Sequence, residues 1–265
     1  MPGRRIAVAA TAPFGADVLE RLTRSQDVVQ LLTRPDKPQG RGRKLGAPPA
    51  KETAERLGIP VAQPARLDES VELAADTVVV CAYGLLIPPS LLGRGLWLNV
   101  HPSLLPRWRG AAPVERAIMA GDAETGVTIH ETVEALDAGP VAAQRAFPIG
   151  VEADAGAVYA RAAEVTAELL DTVLAEDTPR FVPQAVDGAT YAEKIGPADR
   201  ELDLSRPAPE LVNRVRALSP HIGARLGDLI VWRARVAEKG SFEPVEVQPA
   251  GGKRMAYDAY LRGRR

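Results

Sequence analysis

Short apolar runs alternate with segments in which apolar residues return every three or four positions, from Ile6 to about Ala175. Residues 6–10, 28–33, 59–62, 77–82, 96–100, 126–131 and 141–149 read as strands. Between them, residues 13–23 place Phe14, Val18, Leu19 and Leu22 on one helical face, and residues 51–57 form a helix ended by Gly58. A helix over 114–120 has Pro113 near its first turn and Gly121 past its end, and 155–175 is a long Ala-rich helix. Strands and helices alternating at this spacing predict βαβ units and an α/β, Rossmann-like, mostly parallel sheet covered on both faces. The pattern breaks after residue 178. One amphipathic helix over 209–218 and short strands over 229–236 and 245–248 predict a small C-terminal β-rich domain of roughly 60 to 75 residues, near the lower limit for a self-sufficient core. The expected organisation is a catalytic domain over 1–188, a linker over 189–208 and the small domain over 209–265.

Composition narrows the class. The 265 residues are 46% hydrophobic and 25% charged, which predicts a packed core. Lys and Arg total 33 against 34 Asp and Glu, so any nucleic-acid contact must be a local patch. The single cysteine, Cys81, lies in an apolar run, reads as a buried strand residue and excludes an internal disulfide. With three histidines besides, the chain shows no metal-ligand cluster of usual spacing. The basic start runs straight into a strand, and no apolar run of ~18 residues occurs. The expectation is a soluble, cytoplasmic, monomeric protein with no membrane partner and no metal.

Candidate chemistry sits at the ends of the apolar runs. Asn99 and His101 flank Val100 near a strand end, so their side chains point the same way, toward the usual ligand edge of a parallel sheet. An amide can donate to an oxyanion, and an imidazole can do so and also move a proton near neutral pH. Taken alone, the pair also fits a turn-capping Asn and a His satisfied by backbone. Asp137 lies in the turn from Glu134 to Pro140. It can orient a nearby His and have its pKa raised by partial burial, or it can simply bond its own backbone. Arg34, Lys37, Arg41, Arg43 and Lys44 face only Asp36 in a Pro/Gly-rich loop that Gly40 and Gly42 are expected to keep mobile. That loop suits phosphate contact or a solvated surface equally. It lacks P-loop spacing, and the turn after the first strand lacks the dinucleotide fingerprint.

Asn99-x-His101-Pro102-Ser103-Leu104-Leu105-Pro106-x-x-Arg109-Gly110 and Leu136-Asp137-x-Gly139, with Asn and Asp 38 positions apart, resemble the folate-dependent formyltransferase superfamily. The segments 34–45, 81–88, 107–113, 121–128, 190–195 and 246–255 resemble its methionyl-tRNA branch, and the likeness spans nearly the whole chain. The resemblance implies the formyltransferase fold with an oligonucleotide-binding-like C-terminal domain. It also implies transfer of the formyl group of 10-formyltetrahydrofolate to initiator methionyl-tRNA. Asn99 and His101 would stabilise the oxyanion, and Asp137 would orient His101 and relay protons. Folate would lie against Tyr83, Gly84, Leu85, Leu86, Ile87 and Pro88, against Ser103, Leu104, Leu105 and Pro106, and against Val133, Glu134, Ala135 and Leu136. Arg34, Lys37, Arg41, Arg43, Lys44, Arg107 and Arg109 would meet tRNA. Two departures stand out: Ala10-Thr11-Ala12-Pro13 replaces the family's Gly-Thr-Pro turn, and the C-terminal domain is abbreviated. Alternatives are formyl transfer to a small amine such as an amino-sugar nucleotide, a hydrolase releasing formate from the same folate, and a non-catalytic RNA-binding paralogue.

Overall fold

The computed structural model describes residues 3–39 and 44–263. The chain begins β1 (Arg5–Ala10), α1 (Pro13–Leu22), β2 (Asp27–Leu32), β3 (Lys37–Gln39), β4 (Lys44–Gly46), α2 (Pro49–Leu57) and β5 (Val61–Ala62). Next come β6 (Thr77–Cys81), α3 (Pro89–Leu92), β7 (Leu96–His101), β8 (Arg109–Gly110), α4 (Pro113–Ala120), β9 (Glu124–Glu131), β10 (Val141–Pro148) and α5 (Ala155–Leu174). The remainder holds β11 (Tyr191–Ala192), α6 (Pro197–Arg200), α7 (Ala208–Leu218), β12 (Ala224–Leu226), β13 (Leu229–Val236), β14 (Phe242–Pro249), β15 (Met255–Ala256) and α8 (Tyr257–Arg262). Two compact units share these elements. One comprises Met1–Arg109, Gly126–Ala146 and Ala160–Ala189; the other comprises Gly110–Thr125, Phe147–Tyr159 and Thr190–Arg265.

In the first unit, a sheet of seven strands among the described residues runs β10-β9-β7-β6-β1-β2-β5. β1 is parallel to β2 and β6, β2 to β5, and β6 to β7, whereas β7 and β9 are antiparallel. β6 and residues 6–10 of β1 are buried throughout, which is why they read as continuous apolar runs rather than alternating ones. α1 buries Phe14, Val18, Leu19 and Leu22, the face its spacing predicts. Ala7, Ala9, Leu32, Val78, Val80, Tyr83, Leu91 and Trp97 form one core cluster, in which the Trp97 indole donates to the Leu91 carbonyl at 2.9 Å. Strand order reverses beside β1: the chain leaves it for β2 and β5 on one side, then returns for β6 and β7 on the other. Such a switch point opens a crevice beyond the carboxyl ends of the strands.

The segment read as an irregular basic loop has an ordered stem. β3 and β4 pair antiparallel, Lys37 opposite Gly46 and Gln39 opposite Lys44. Lys51 and Gln63 anchor the root by donating to the Asp36 carboxylate, and Gln63 also donates to the Arg34 carbonyl. Gly40, Arg41, Gly42 and Arg43 lie outside the described residues.

The second unit contains an antiparallel meander, β12-β13-β14-β15. Leu211, Val215 and Leu218 of α7 share a core with Ala224, Leu229, Val231 and Val247. Among the described residues β12 and β15 do not pair, so the sheet is open rather than a closed barrel. Arg116 of α4 holds Asp199 through two bonds of 2.7 and 2.9 Å, and Asp199 accepts from the Gly196 amide at the start of α6. Among the described residues no helix is long and apolar enough to cross a membrane.

Candidate active site

The crevice is walled by loops tied to each other. The Thr11 hydroxyl donates to the Tyr83 carbonyl at 2.8 Å, and the Ala12 amide donates to the Ala82 carbonyl. Gly15 permits this closeness, since a Cβ there would stand 2.5 Å from the Cys81 carbonyl oxygen. The neighbouring strand, β7, ends in Asn99 and His101, which the pleat turns to one face. β9 lies antiparallel beside it with His130 opposite Asn99 and Thr128 opposite His101.

Asp137 completes the cluster from the turn after β9. Its φ is 49°, a left-handed conformation that Asp tolerates better than most residues. Two residues on, a Cβ on Gly139 would sit 1.8 Å from the Glu131 carbonyl oxygen, so only glycine lets the turn fold back on β9. The result is a carboxylate only 8% exposed between two buried imidazoles. Its Oδ2 is 3.6 Å from His101 Nδ1, and its Oδ1 is 3.7 Å from His130 Nε2 and 3.2 Å from Asn99 Nδ2.

The partners fix the protons. His101 Nε2 is 2.7 Å from the Trp108 carbonyl oxygen and donates to it, leaving Nδ1 bare toward Asp137. His130 Nδ1 is 2.8 Å from the Glu131 carbonyl oxygen and donates there, leaving Nε2 to accept from Asn99 Nδ2 at 3.0 Å. Both N–H bonds of Asn99 therefore point at acceptors, His130 and Asp137, and its amide cannot be reversed without setting oxygen against lone pairs. Burial is the largest influence on His101 and lowers its pKa; the Asp137 charge and the Trp108 carbonyl oppose that, and His130 adds to it. His101 is thus a neutral imidazole at pH 7 with an open nitrogen. An amide donor, a neutral base and a carboxylate that welcomes the imidazolium form an acyl-transfer constellation.

The other residues marked in the sequence divide by environment. Tyr83 is 2% exposed, its hydroxyl has no hydrogen-bond partner among the described residues, and burial pushes its pKa up to about 12. Gly84 is exposed, with φ 76°. Leu85 and Ile87 pack on the core cluster, Leu86 is 83% exposed, and Pro88 caps α3. Ser103 is buried and donates to the Arg107 carbonyl at 2.7 Å, which closes its turn. Leu105 is buried, and Leu104 and Pro106 are half-buried. Thr128 and Gln144 fix the same turn through the Ser103 and Leu105 backbone. Val133, Glu134, Ala135 and Leu136 are exposed. Arg34 is half-buried beside Gly84, and Lys37 and Lys44 are exposed on the hairpin. Arg107 stacks over the Trp108 ring. Arg41 and Arg43 fall outside the described residues.

Two further groups join the site. His130 went unmarked because its strand position looks like an ordinary alternation; only its pairing opposite Asn99 reveals it. Gln184 also went unmarked. It donates to the Asp137 and Gly139 carbonyls at 2.8 Å each and accepts from Arg109 at 2.6 and 3.2 Å. Beside it lies a shallow cavity of about 400 Å³ lined by Arg109, Ala138, Pro140 and residues 183–186.

A family model described as formyl transferase matches residues 4–174. The chain is 40% identical to the methionyl-tRNA formyltransferase of Halorhodospira halophila, with 98% of this chain and 96% of that protein covered. It is 41% identical to the methionyl-tRNA formyltransferase of Symbiobacterium thermophilum, with 98% and 92% covered. The first alignment runs over 299 positions, more than the 265 residues here, so that relative carries segments with no counterpart in this chain. Among solved structures, the N-formyltransferase from Helicobacter canadensis in complex with folinic acid and dTDP-3-aminofucose superposes with a TM-score of 0.70 at 18% identity. The superposition covers 97% of this chain and 99% of that one, a likeness of fold.

Proposed function

The chain belongs to the formyl transferase family, among the methionyl-tRNA formyltransferases, and we propose that it moves the formyl group of 10-formyltetrahydrofolate to the α-amine of initiator methionyl-tRNA. The observation that carries the chemistry is the convergence of Asn99, His101 and Asp137, with donor and acceptor atoms already assigned by their partners. The amine nitrogen attacks the formyl carbon, and the carbonyl electron pair moves onto oxygen. Asn99 keeps its bond to His130 and turns its other N–H from Asp137 to the new oxyanion. His101 Nδ1 takes the ammonium proton, with Asp137 stabilising the imidazolium. As the bond from carbon to folate N10 breaks, that proton passes to N10. The products are formyl-methionyl-tRNA and tetrahydrofolate.

The folate reading is supported by the loop from Ala82 to Pro88 and the turn from Val133 to Leu136. They present an exposed Gly84 with φ 76° and exposed apolar Leu86, Val133 and Leu136, surfaces that a flat heterocycle would cover. Arg34 before the hairpin and Lys37 and Lys44 on it, with Arg41 and Arg43 between them in the sequence, suit the phosphates near the acceptor end of tRNA. In this reading residues 1–188 carry the chemistry, 209–265 hold the stem, and the protein works in the cytoplasm beside the translation machinery. Purified protein given 10-formyltetrahydrofolate and charged initiator tRNA should yield formyl-methionine on mild alkaline hydrolysis of the ester. Formylation of a dTDP-amino sugar with none of methionyl-tRNA would sink the acceptor assignment and keep the chemistry; release of formate without any acceptor would replace both with hydrolysis.

A further inference from the structure

We propose that Gln184 is a positioning residue for the catalytic carboxylate and that Arg109 serves to lock Gln184, an inference that rests on the formyl-transfer reading. The geometry is specific. Val141 and Val182 exchange backbone bonds of 2.7 and 2.9 Å, which fixes the chain two residues before Gln184. From there the Gln184 amide nitrogen spans the Asp137 and Gly139 carbonyls. Its oxygen receives both Nε and one terminal nitrogen of Arg109, a fork that leaves no freedom to flip the amide.

The clamp acts where the backbone needs it. Asp137 holds an unfavourable left-handed φ, a strain that persists only when surrounding contacts over-determine it. The segment just before it, residues 133–136, is exposed and gives little support. Gly139 removes the steric obstacle to the turn but adds flexibility of its own. Two hydrogen bonds to the carbonyls on either side of Ala138 supply the rigidity that the sequence of the turn lacks. Without them the carboxylate can drift from the pair His101 and Asn99, and a displacement near 1 Å is enough to cost about a hundredfold in rate.

Arg109 is thereby given a different task from a phosphate contact. It is half-buried, and two of its three guanidinium nitrogens, Nε and Nη2, donate to Gln184. Removing a phosphate contact weakens acceptor binding, whereas removing the outer half of the clamp lowers kcat.

The test is a double-mutant cycle on the full-length enzyme with methionyl-tRNA as acceptor. Gln184→Met keeps the volume and removes all four bonds. The expected result is a kcat about 10- to 100-fold lower with the KM for 10-formyltetrahydrofolate within about threefold. In an Asp137→Asn background the same substitution should lower kcat by less than about threefold, because the group it positions is already gone. Arg109→Met should repeat the Gln184→Met pattern more weakly, and it covers the case in which the Gln184 variant does not fold. Full multiplication of the two losses in the double mutant would overturn the assignment. So would an Arg109→Met enzyme with a raised acceptor KM and unchanged kcat. Absence of formyl transfer by the wild type would overturn the underlying reading instead, so the two failures are distinct.

Discussion

The polar cluster on β7 and β9 and the four-stranded sheet of the second unit handle charge in opposite ways. In the cluster, His130, His101 and Asp137 are 2%, 4% and 8% exposed, and both nitrogens of His130, His101 Nε2, Asn99 Nδ2 and Asp137 Oδ1 each face an assigned partner. In the small sheet, Arg235 pairs with Glu243 in the open, and Arg254 lies over the Trp232 ring at the surface. Burial makes the first arrangement brittle, since deleting one group leaves others buried and unpaired at about 1–3 kcal/mol each. Exposure makes the second tolerant, since water replaces any partner that is lost. The precision that the proposed chemistry needs is therefore concentrated in about four side chains, while the fold of the small sheet depends little on any one surface charge.

The largest effect that would break this contrast is at Asn99. Asn99→Ala removes the donor that the proposed mechanism turns from Asp137 to the oxyanion, and kcat should fall about 10²- to 10³-fold. A loss under tenfold in steady-state formyl transfer would mean that the cluster is not where charge develops. Next comes His130→Leu, which deletes the acceptor that fixes the Asn99 amide. The expected loss is about 10- to 100-fold in kcat with donor KM little changed, and His130→Gln, which can still accept, should recover part of it. Equal activity of the Leu and Gln variants would remove the orientation role.

The pH response sharpens the same contrast at smaller cost. Because burial lowers the His101 pKa, the acid limb of kcat/KM for 10-formyltetrahydrofolate should have its midpoint below the ordinary histidine value of about 6.5. Stability carries a matching sign. The folded pKa lies below the unfolded one, so as pH falls below about 6.5 the unfolded chain takes up this proton first and stability drops; above it the group contributes nothing. Urea midpoints at about pH 7 and 5.5 should differ less in His101→Gln than in the wild type, and an equal acid decline in both would contradict the burial argument.

The strands and helices of the first unit were readable because their periods are long and regular: β1 and β6 as unbroken apolar runs, α1 by its face of Phe14, Val18, Leu19 and Leu22. Asn99 and His101 were readable as partners because a pleat aligns alternate residues. Asp137 joined them through family spacing, and its geometry agrees. His130 and Gln184 were not readable, because each depends on a contact distant in sequence: an antiparallel pairing with β7, and a fork with Arg109 that is 75 residues away. Charge alone placed Arg109 among the surface cations and could not reveal that fork. The stem of the basic hairpin and the short β12, β15 and α8 of the second unit fell below the length at which periodicity speaks.

The smallest expected effect is on the small sheet itself. Arg254 sits 3.6 Å above the Trp232 ring centre and donates to the Pro220 carbonyl. Trp232 is buried, with its indole nitrogen bonded to Gln248 and its carbonyl accepting from Ser219. Arg254→Ala should therefore lower the unfolding free energy of the protein by only about 0.5–1 kcal/mol, the usual worth of an exposed cation over an aromatic face. Its kcat should equal that of the wild type, since no bond of the cluster passes through this residue. Trp232→Ala, by contrast, removes a large buried ring from the same contact and should cost about 3–5 kcal/mol. Urea denaturation followed with a steady-state assay separates the outcomes. If Arg254→Ala were as damaging to stability as Trp232→Ala, the exposed charge would be holding the sheet together, and the view of this unit as a tolerant scaffold would give way to one in which its surface is as constrained as the buried cluster on β7 and β9.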